Sequence, residues 1–208
     1  MMKAIVITLL KLMIIVSAFG QIDRGVEEAH GLPVGIKAPL FYAMAADSSL
    51  YSLEESLQTG PVVMIFYRGL WCPYCNRHLK LIQDSLSMIY SKGASVIAVS
   101  PQNPGYLQKM AKKTGAEFTL LYDDGYAIED AYDVTFLPEQ RQIRKYNMAL
   151  NANLKTSQSD DSQRLPIPAT YLISQEGIIA WRQFDPNYKH RSTVAEILSA
   201  IDRLPEIN

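Results

Sequence analysis

Val62-Val63-Met64-Ile65-Phe66-Tyr67-Arg68-Gly69-Leu70-Trp71-Cys72-Pro73-Tyr74-Cys75 runs from a continuous apolar segment into a pair of cysteines. Gly60-Pro61 breaks the chain just before it, and Val62 to Tyr67 is rich in β-formers without polar alternation. A run of this kind, bounded by turn signals, predicts a strand buried on both faces of a sheet. Beyond Pro73 the period changes. Leu79, Ile82, Leu86 and Ile89 recur at helical spacing until Lys92-Gly93 stops the helix. Pro73 stands where the first helical residue belongs, and its missing N–H has no partner to lose there. The two cysteines therefore fall at a strand-to-helix junction.

The same reading extends outward. Ser95 to Ser100 reads as a second buried strand, Pro104 to Lys113 as a helix, Phe118 to Tyr122 as a strand and Tyr126 to Tyr132 as a short helix. Leu40 to Ala43 and Leu50 to Leu53 suit short strands or a hairpin upstream. Downstream, Ala169 to Ser174, the turn Gln175-Glu176-Gly177 and Ile178 to Phe184 give a hairpin signal. A closing helix from about Ser192 to Arg203 carries Val194, Ile197, Leu198 and Ile201 on one face. This alternation of strand and helix predicts an α/β domain around a central, largely parallel sheet. Residues 137–165 interrupt the rhythm. Gln140 to Gln163 is mostly polar and reads as a surface insertion, a lid or a partner-contacting arm.

Composition narrows the function classes. The chain has 208 residues and a formal net charge of -1, so it offers no electrostatic footprint for nucleic acid or anionic lipid. Its first twenty residues differ in character: Lys3 and Lys11 flank or interrupt an apolar stretch, Leu12 to Phe19 has the length of a signal core, and Ala18 and Gly20 are small. Residues 1–20 are therefore expected to be a signal peptide, with export to a periplasm or the extracellular space. The stretch is too short and interrupted for a comfortable membrane span, so none is expected after processing.

The chain has two cysteines, and a bridge between Cys72 and Cys75 would close almost no loop, so chemistry explains the pair better than stability does. The thiolate is the nucleophile, and a helix N-terminus stabilises it through unpaired N–H groups and the positive end of the dipole. Cys72, at about the N-cap, is expected to attack. Cys75, one turn inside, is expected to be the weaker acid and to resolve the intermediate as a disulfide. Ionisation has a limited yield: an ordinary thiol is roughly 3% thiolate at pH 7, so full ionisation gains about thirtyfold. Arg68 is the nearest cation in sequence, either a supporting group or a solvated surface side chain. Trp71 and Tyr74 either contact substrate or only pack. His78 would complete a Cys-x-x-Cys-x-x-His cluster, but a structural zinc site needs a fourth ligand, and no metal is expected. His78 reads as an ordinary helix-surface residue. A non-catalytic module using the same fold is a further reading, disfavoured by a Cys-x-x-Cys pair at a helix start.

Cys72-Pro73-Tyr74-Cys75 after Trp71 resembles a thioredoxin or glutaredoxin active site. Gly35-Ile36-Lys37-Ala38-Pro39-Leu40-Phe41 resembles the lead-in of the peroxiredoxin superfamily of alkyl hydroperoxide reductase and thiol-specific antioxidant proteins. Ile167-Pro168-Ala169-Thr170-Tyr171 resembles the cis-proline element of the thioredoxin fold, and Asp185-Pro186-Asn187-Tyr188 a later motif of the peroxiredoxin-like branch. The resemblance spans residue 35 to about 206. It implies a thioredoxin-like fold with a central mixed sheet flanked by helices, Pro168 in cis beside Cys72, and the backbone of Ile167 offered to substrate. It further implies a thiol peroxidase that needs no cofactor and is reset by an external thioredoxin-like reductant. The close alternative is a dithiol–disulfide oxidoreductase acting on protein disulfides. One departure matters: typical peroxiredoxins carry Thr or Ser three residues before the attacking cysteine and Pro seven before it, where this chain has Gly69 and Ile65.

Overall fold

A computed structural model describes residues 24–205; the expected signal peptide lies outside them. Along the chain the elements are β1 (Tyr42–Ala45), β2 (Leu50–Ser52), α1 (Leu53–Leu57), β3 (Val62–Phe66), α2 (Pro73–Asp84), α3 (Leu86–Tyr90), β4 (Ser95–Ser100), α4 (Pro104–Thr114) and β5 (Thr119–Tyr122). They continue through α5 (Ala127–Ala131), β6 (Thr135–Phe136), α6 (Gln140–Leu150), α7 (Leu154–Ser157), β7 (Leu165–Pro166), β8 (Ala169–Ile173), β9 (Ile179–Phe184) and α8 (Val194–Ile201).

Seven strands form one sheet in the order β2-β1-β5-β4-β3-β8-β9. The three central strands, β3, β4 and β5, are parallel, and the flanking pairs are antiparallel. The sheet is therefore mixed, as the resemblance to the thioredoxin fold implies, and not largely parallel as the strand–helix rhythm predicts, because β1 and β2 before the parallel core and the β8–β9 hairpin after it join without crossover helices. Strand β3 is buried from end to end, and its side chains alternate between two cores. Val63, Ile65 and Tyr67 pack with Leu79 and Ile82 of α2 and Leu107 of α4. Val62, Met64 and Phe66 pack with Leu53 and Leu57 of α1 and Tyr132 beyond α5. This is the period-two geometry that a two-faced apolar run predicts.

Three further expectations are corrected here. The helix expected from Pro73 to Lys92-Gly93 is two helices, because the chain tightens at Ser85, whose N–H bonds Ile82 O at 3.1 Å. The apolar stripe nevertheless continues, with Leu79, Ile82, Leu86 and Ile89 all buried. The polar stretch 137–165 is not an irregular insertion. It contains α6 and α7, and the apolar minority Ile143, Tyr146 and Leu154 is buried while the polar majority faces out. Finally, no peptide bond among the described residues is cis. Pro168 is buried between β7 and β8 with a trans bond, the isomer favoured by about 0.5–1 kcal/mol at X-Pro.

Candidate active site

The end of β3 and the start of α2 bring the motif together. Cys72 is the N-cap of α2, with φ -87° and ψ 109°, and its Sγ accepts the Cys75 backbone N–H at 3.3 Å. Pro73 opens the helix, so the first helical position has no amide to satisfy. Cys72 and Cys75 are free thiols, 0% and 1% exposed.

Arg68 is not a solvated surface side chain. It is 2% exposed, and its Nη2 lies 3.5 Å from Cys72 Sγ while Nη1 bonds the Tyr146 hydroxyl at 3.2 Å. Three rings enclose the guanidinium: Tyr188 at 4.0 Å from its centroid, and Trp71 and Tyr146 at 5.2 Å each. Each such contact contributes about 0.5–2 kcal/mol, more as the site loses water. Trp71 in turn packs on Tyr146 at 5.0 Å. A cation this buried is costly unless it meets an anion, and the sulfur pair is the anion within reach. Arg68 Nε and Trp71 Nε1 are further buried donors without a protein partner.

The two thiols act as one acid. Burial pushes the Cys72 thiol well up, with Arg68 pulling against it. Burial opposes the Cys75 thiolate too, but the hydrogen bond from Cys72 and the charges of Arg68 and Arg191 outweigh it and bring Cys75 down to about 5. The first charge of the pair thus rests on Cys75, the reverse of the order expected from helix position. Passage of one proton between the sulfurs moves that charge to Cys72, where the helix N–H and Arg68 receive it. Arg191, from the loop before α8, places Nη2 3.8 Å from Cys75 Sγ.

Gly69 turns the chain between Arg68 and the cysteines with φ +136°, and a Cβ there would meet the Gln102 side chain at 2.5 Å. Gln102, buried after β4, accepts the Leu70 N–H at 2.6 Å. The space a side chain at that position would need is therefore filled by a glutamine from the segment after β4.

Two expectations about supporting residues change. Ile167 lies in the same apolar core as both cysteines, but its N–H is bonded to Val134 O at 2.7 Å. His78 is buried rather than on the helix surface, and its Nε2 lies 3.1 Å from Ser192 Oγ, which in turn lies 2.8 Å from Thr170 Oγ1. Burial and Arg191 lower its pKa to about 4, so it is neutral near pH 7. Sequence reasoning also missed Tyr146, Gln102 and Arg191. Of these, Tyr146 had a signal: Ile143, Tyr146 and Leu150 repeat at helical spacing inside the polar stretch.

The family model described as AhpC/TSA matches residues 34–182. The chain is 25% identical over 170 residues to peroxiredoxin Q, chloroplastic, of Populus jackii, covering 80% of this chain and 68% of that protein. It is 27% identical over 173 residues to peroxiredoxin Q, chloroplastic, of Triticum aestivum, covering 82% and 67%. Among solved structures, peroxidoxin BcpB from Mycobacterium tuberculosis superposes with a TM-score of 0.65 at 15% identity, covering 84% of this chain and 99% of that one.

Proposed function

The chain belongs to the AhpC/TSA family, and from that membership we propose that it is a thiol-dependent peroxidase working through Cys72 and Cys75. The observation that carries the reading is the seat of Cys72: an N-cap sulfur facing a helix N–H at 3.3 Å and a buried guanidinium at 3.5 Å. In this scheme the Cys72 thiolate attacks one peroxide oxygen, the O–O bond breaks, and alcohol or water departs. Arg68, at 3.5 Å from Cys72 Sγ, is the donor to the peroxide oxygens, and Trp71 Nε1 is a second buried donor without a protein partner. Cys75 then displaces water from the Cys72 sulfenic acid and closes the disulfide. An outside thiol donor, thioredoxin-like on the family pattern, supplies two electrons to reopen it. Among the described residues no helix is long and apolar enough to cross a membrane. Export rests on the sequence pattern of residues 1–20, and residues 35–206 form one domain in this reading.

The test is the rate at which reduced protein consumes hydrogen peroxide, beside free cysteine at the same pH and beside Cys72→Ser. A Cys72-dependent rate more than about a hundredfold above free cysteine exceeds what ionisation supplies. A rate within about thirtyfold would instead favour disulfide exchange with protein thiols. That second reading has one specific support, the replacement of the peroxide-orienting hydroxyl by Gly69 against Gln102.

A further inference from the structure

We propose that the cavity between α2 and the start of α8 binds a small thiol carrying a carboxylate, and that this thiol is the electron donor that reopens the Cys72–Cys75 disulfide. The inference rests on the thiol-redox reading of the pair and replaces the protein reductant of the family pattern. The cavity holds about 390 Å³, within the usual range of small-molecule sites. Leu81, Ile82 and Val194 give it apolar walls, Arg77, Lys189 and Arg191 give it three cations, and no lining residue is acidic. In a chain of net charge -1 that concentration of positive charge is local.

Arg191 joins this cavity to the chemistry, since it lines the cavity and also reaches Cys75 Sγ at 3.8 Å. His78, one helical turn after Cys75, forms part of the same wall. Cys72 is not reached from Arg191 but is held by Arg68, which Tyr146 and Trp71 enclose. A hydroperoxide must reach Cys72, whereas a reductant opens the disulfide from either end. A cationic cavity separated from the buried Cys75 by the Arg191 guanidinium, which reaches its Sγ at 3.8 Å, therefore suits an anionic reductant that draws Arg191 aside.

The step balances. One thiolate attacks Cys75 Sγ, the S–S bond breaks, and Cys72 leaves as a thiolate facing Arg68 and the Cys75 N–H. A second thiolate attacks the outer sulfur of the mixed disulfide, which releases Cys75 beside Arg191 and yields the small-molecule disulfide. Two electrons pass to the pair, and the protons shed by the two thiols balance those the cysteines take up.

The test uses protein oxidised with excess oxidised dithiothreitol, so that it does not depend on peroxide. Its reduction is followed by stopped flow with glutathione, glutathione diethyl ester and cysteamine, each corrected for thiolate fraction. Glutathione is expected to react at least about tenfold faster than its ester, a difference worth about 1.4 kcal/mol. The exposed pair of changes Arg77→Glu and Lys189→Glu is expected to erase that preference, while an unchanged thermal melt and far-ultraviolet circular dichroism spectrum report an intact fold. Mapping the trapped adduct is expected to find glutathione on Cys75. Equal rates for acid and ester, an unchanged preference in the double variant, inertness to all three small thiols, or an adduct on Cys72 would each overturn the proposal. If peroxide fails to form the disulfide, the peroxidase reading falls, and this measurement still decides the reductant.

Discussion

A Cβ built on Gly69 stands 2.5 Å from the side chain of Gln102, whose Oε1 is the acceptor for the Leu70 N–H. Two constraints coincide at this glycine. Its φ of +136° is one that L side chains rarely adopt, and the space a side chain needs is already taken. Gly69→Thr therefore does not restore a peroxidase hydroxyl. It is expected to destabilise the fold by about 2–4 kcal/mol, the sum of backbone strain and overpacking. Gly69→Ala with Gln102→Ala should recover only the steric part, so the double variant is less damaged than the two single effects added. Urea midpoints for the four proteins measure this, and simple additivity would show that the two residues do not meet in the way described.

Most of the fold was legible because it is written in long, local patterns. The buried run at Val62–Phe66, the helical spacing of Leu79 and Ile82, and the hairpin turn at Gly177 each fix an element without reference to the rest. The site was half legible. Cys72 at the N-cap follows from strand, proline and helix order. The groups that tune it do not, because Tyr146, Gln102 and Arg191 arrive from residues 30 to 119 positions away, and nothing local marks their direction. The stretch around Tyr146 misled for a physical reason: a helix buried on one narrow stripe needs few apolar residues, and its average polarity hides them.

Arg68 carries the positive charge nearest Cys72, and its removal tests what holds the thiolate. With both guanidiniums present the first ionisation lies near 5. Arg68→Met removes one, so the apparent pKa must rise. A rise of two units lowers the thiolate fraction at pH 6 by about tenfold and leaves it nearly unchanged at pH 9. Titrating the ultraviolet absorbance of the thiolate follows this directly, and an unmoved curve would remove Arg68 from the site. Arg68→Lys is expected to rescue little, since a lysine cannot stack its head among Trp71, Tyr146 and Tyr188 as a planar guanidinium does.

Tyr146 gives α6 a role that a polar insertion would not have. Its ring packs on Trp71 and its hydroxyl receives Arg68 Nη1. Tyr146→Phe deletes the hydroxyl alone, with an expected loss of about 0.5–1.5 kcal/mol and a small upward shift of the thiolate titration. Tyr146→Ala also removes the ring and is expected to cost about 3–5 kcal/mol. If thermal melts place the alanine variant within error of wild type, α6 is a surface appendage after all.

A buried acid away from the cysteines sets the stability at neutral pH. Glu129 is 0% exposed, and neither carboxylate oxygen has a partner. Burial, reinforced by Asp123 and Asp130, raises its pKa well above the ordinary value, and Arg164 only partly opposes this. Asp123 behaves alike and is raised to about 7, chiefly by burial. The native state therefore keeps protons that the unfolded chain sheds near pH 4, so the stability from these groups is complete below that pH and is lost as pH rises through their folded values. His78 runs the other way: held neutral down to about 4, it withdraws stability as pH falls below 6.5. A raw pH profile mixes the two effects, and the difference between wild type and Glu129→Gln cancels the histidine. The glutamine has no proton to lose, so its advantage is expected to grow as pH rises above the unfolded glutamate value, by at most about 1.4 kcal/mol per pH unit, until the folded group ionises. Urea midpoints at three pH values suffice, and a difference that stays flat would mean that Glu129 is ionised in the folded protein and partnered by a charge not yet identified.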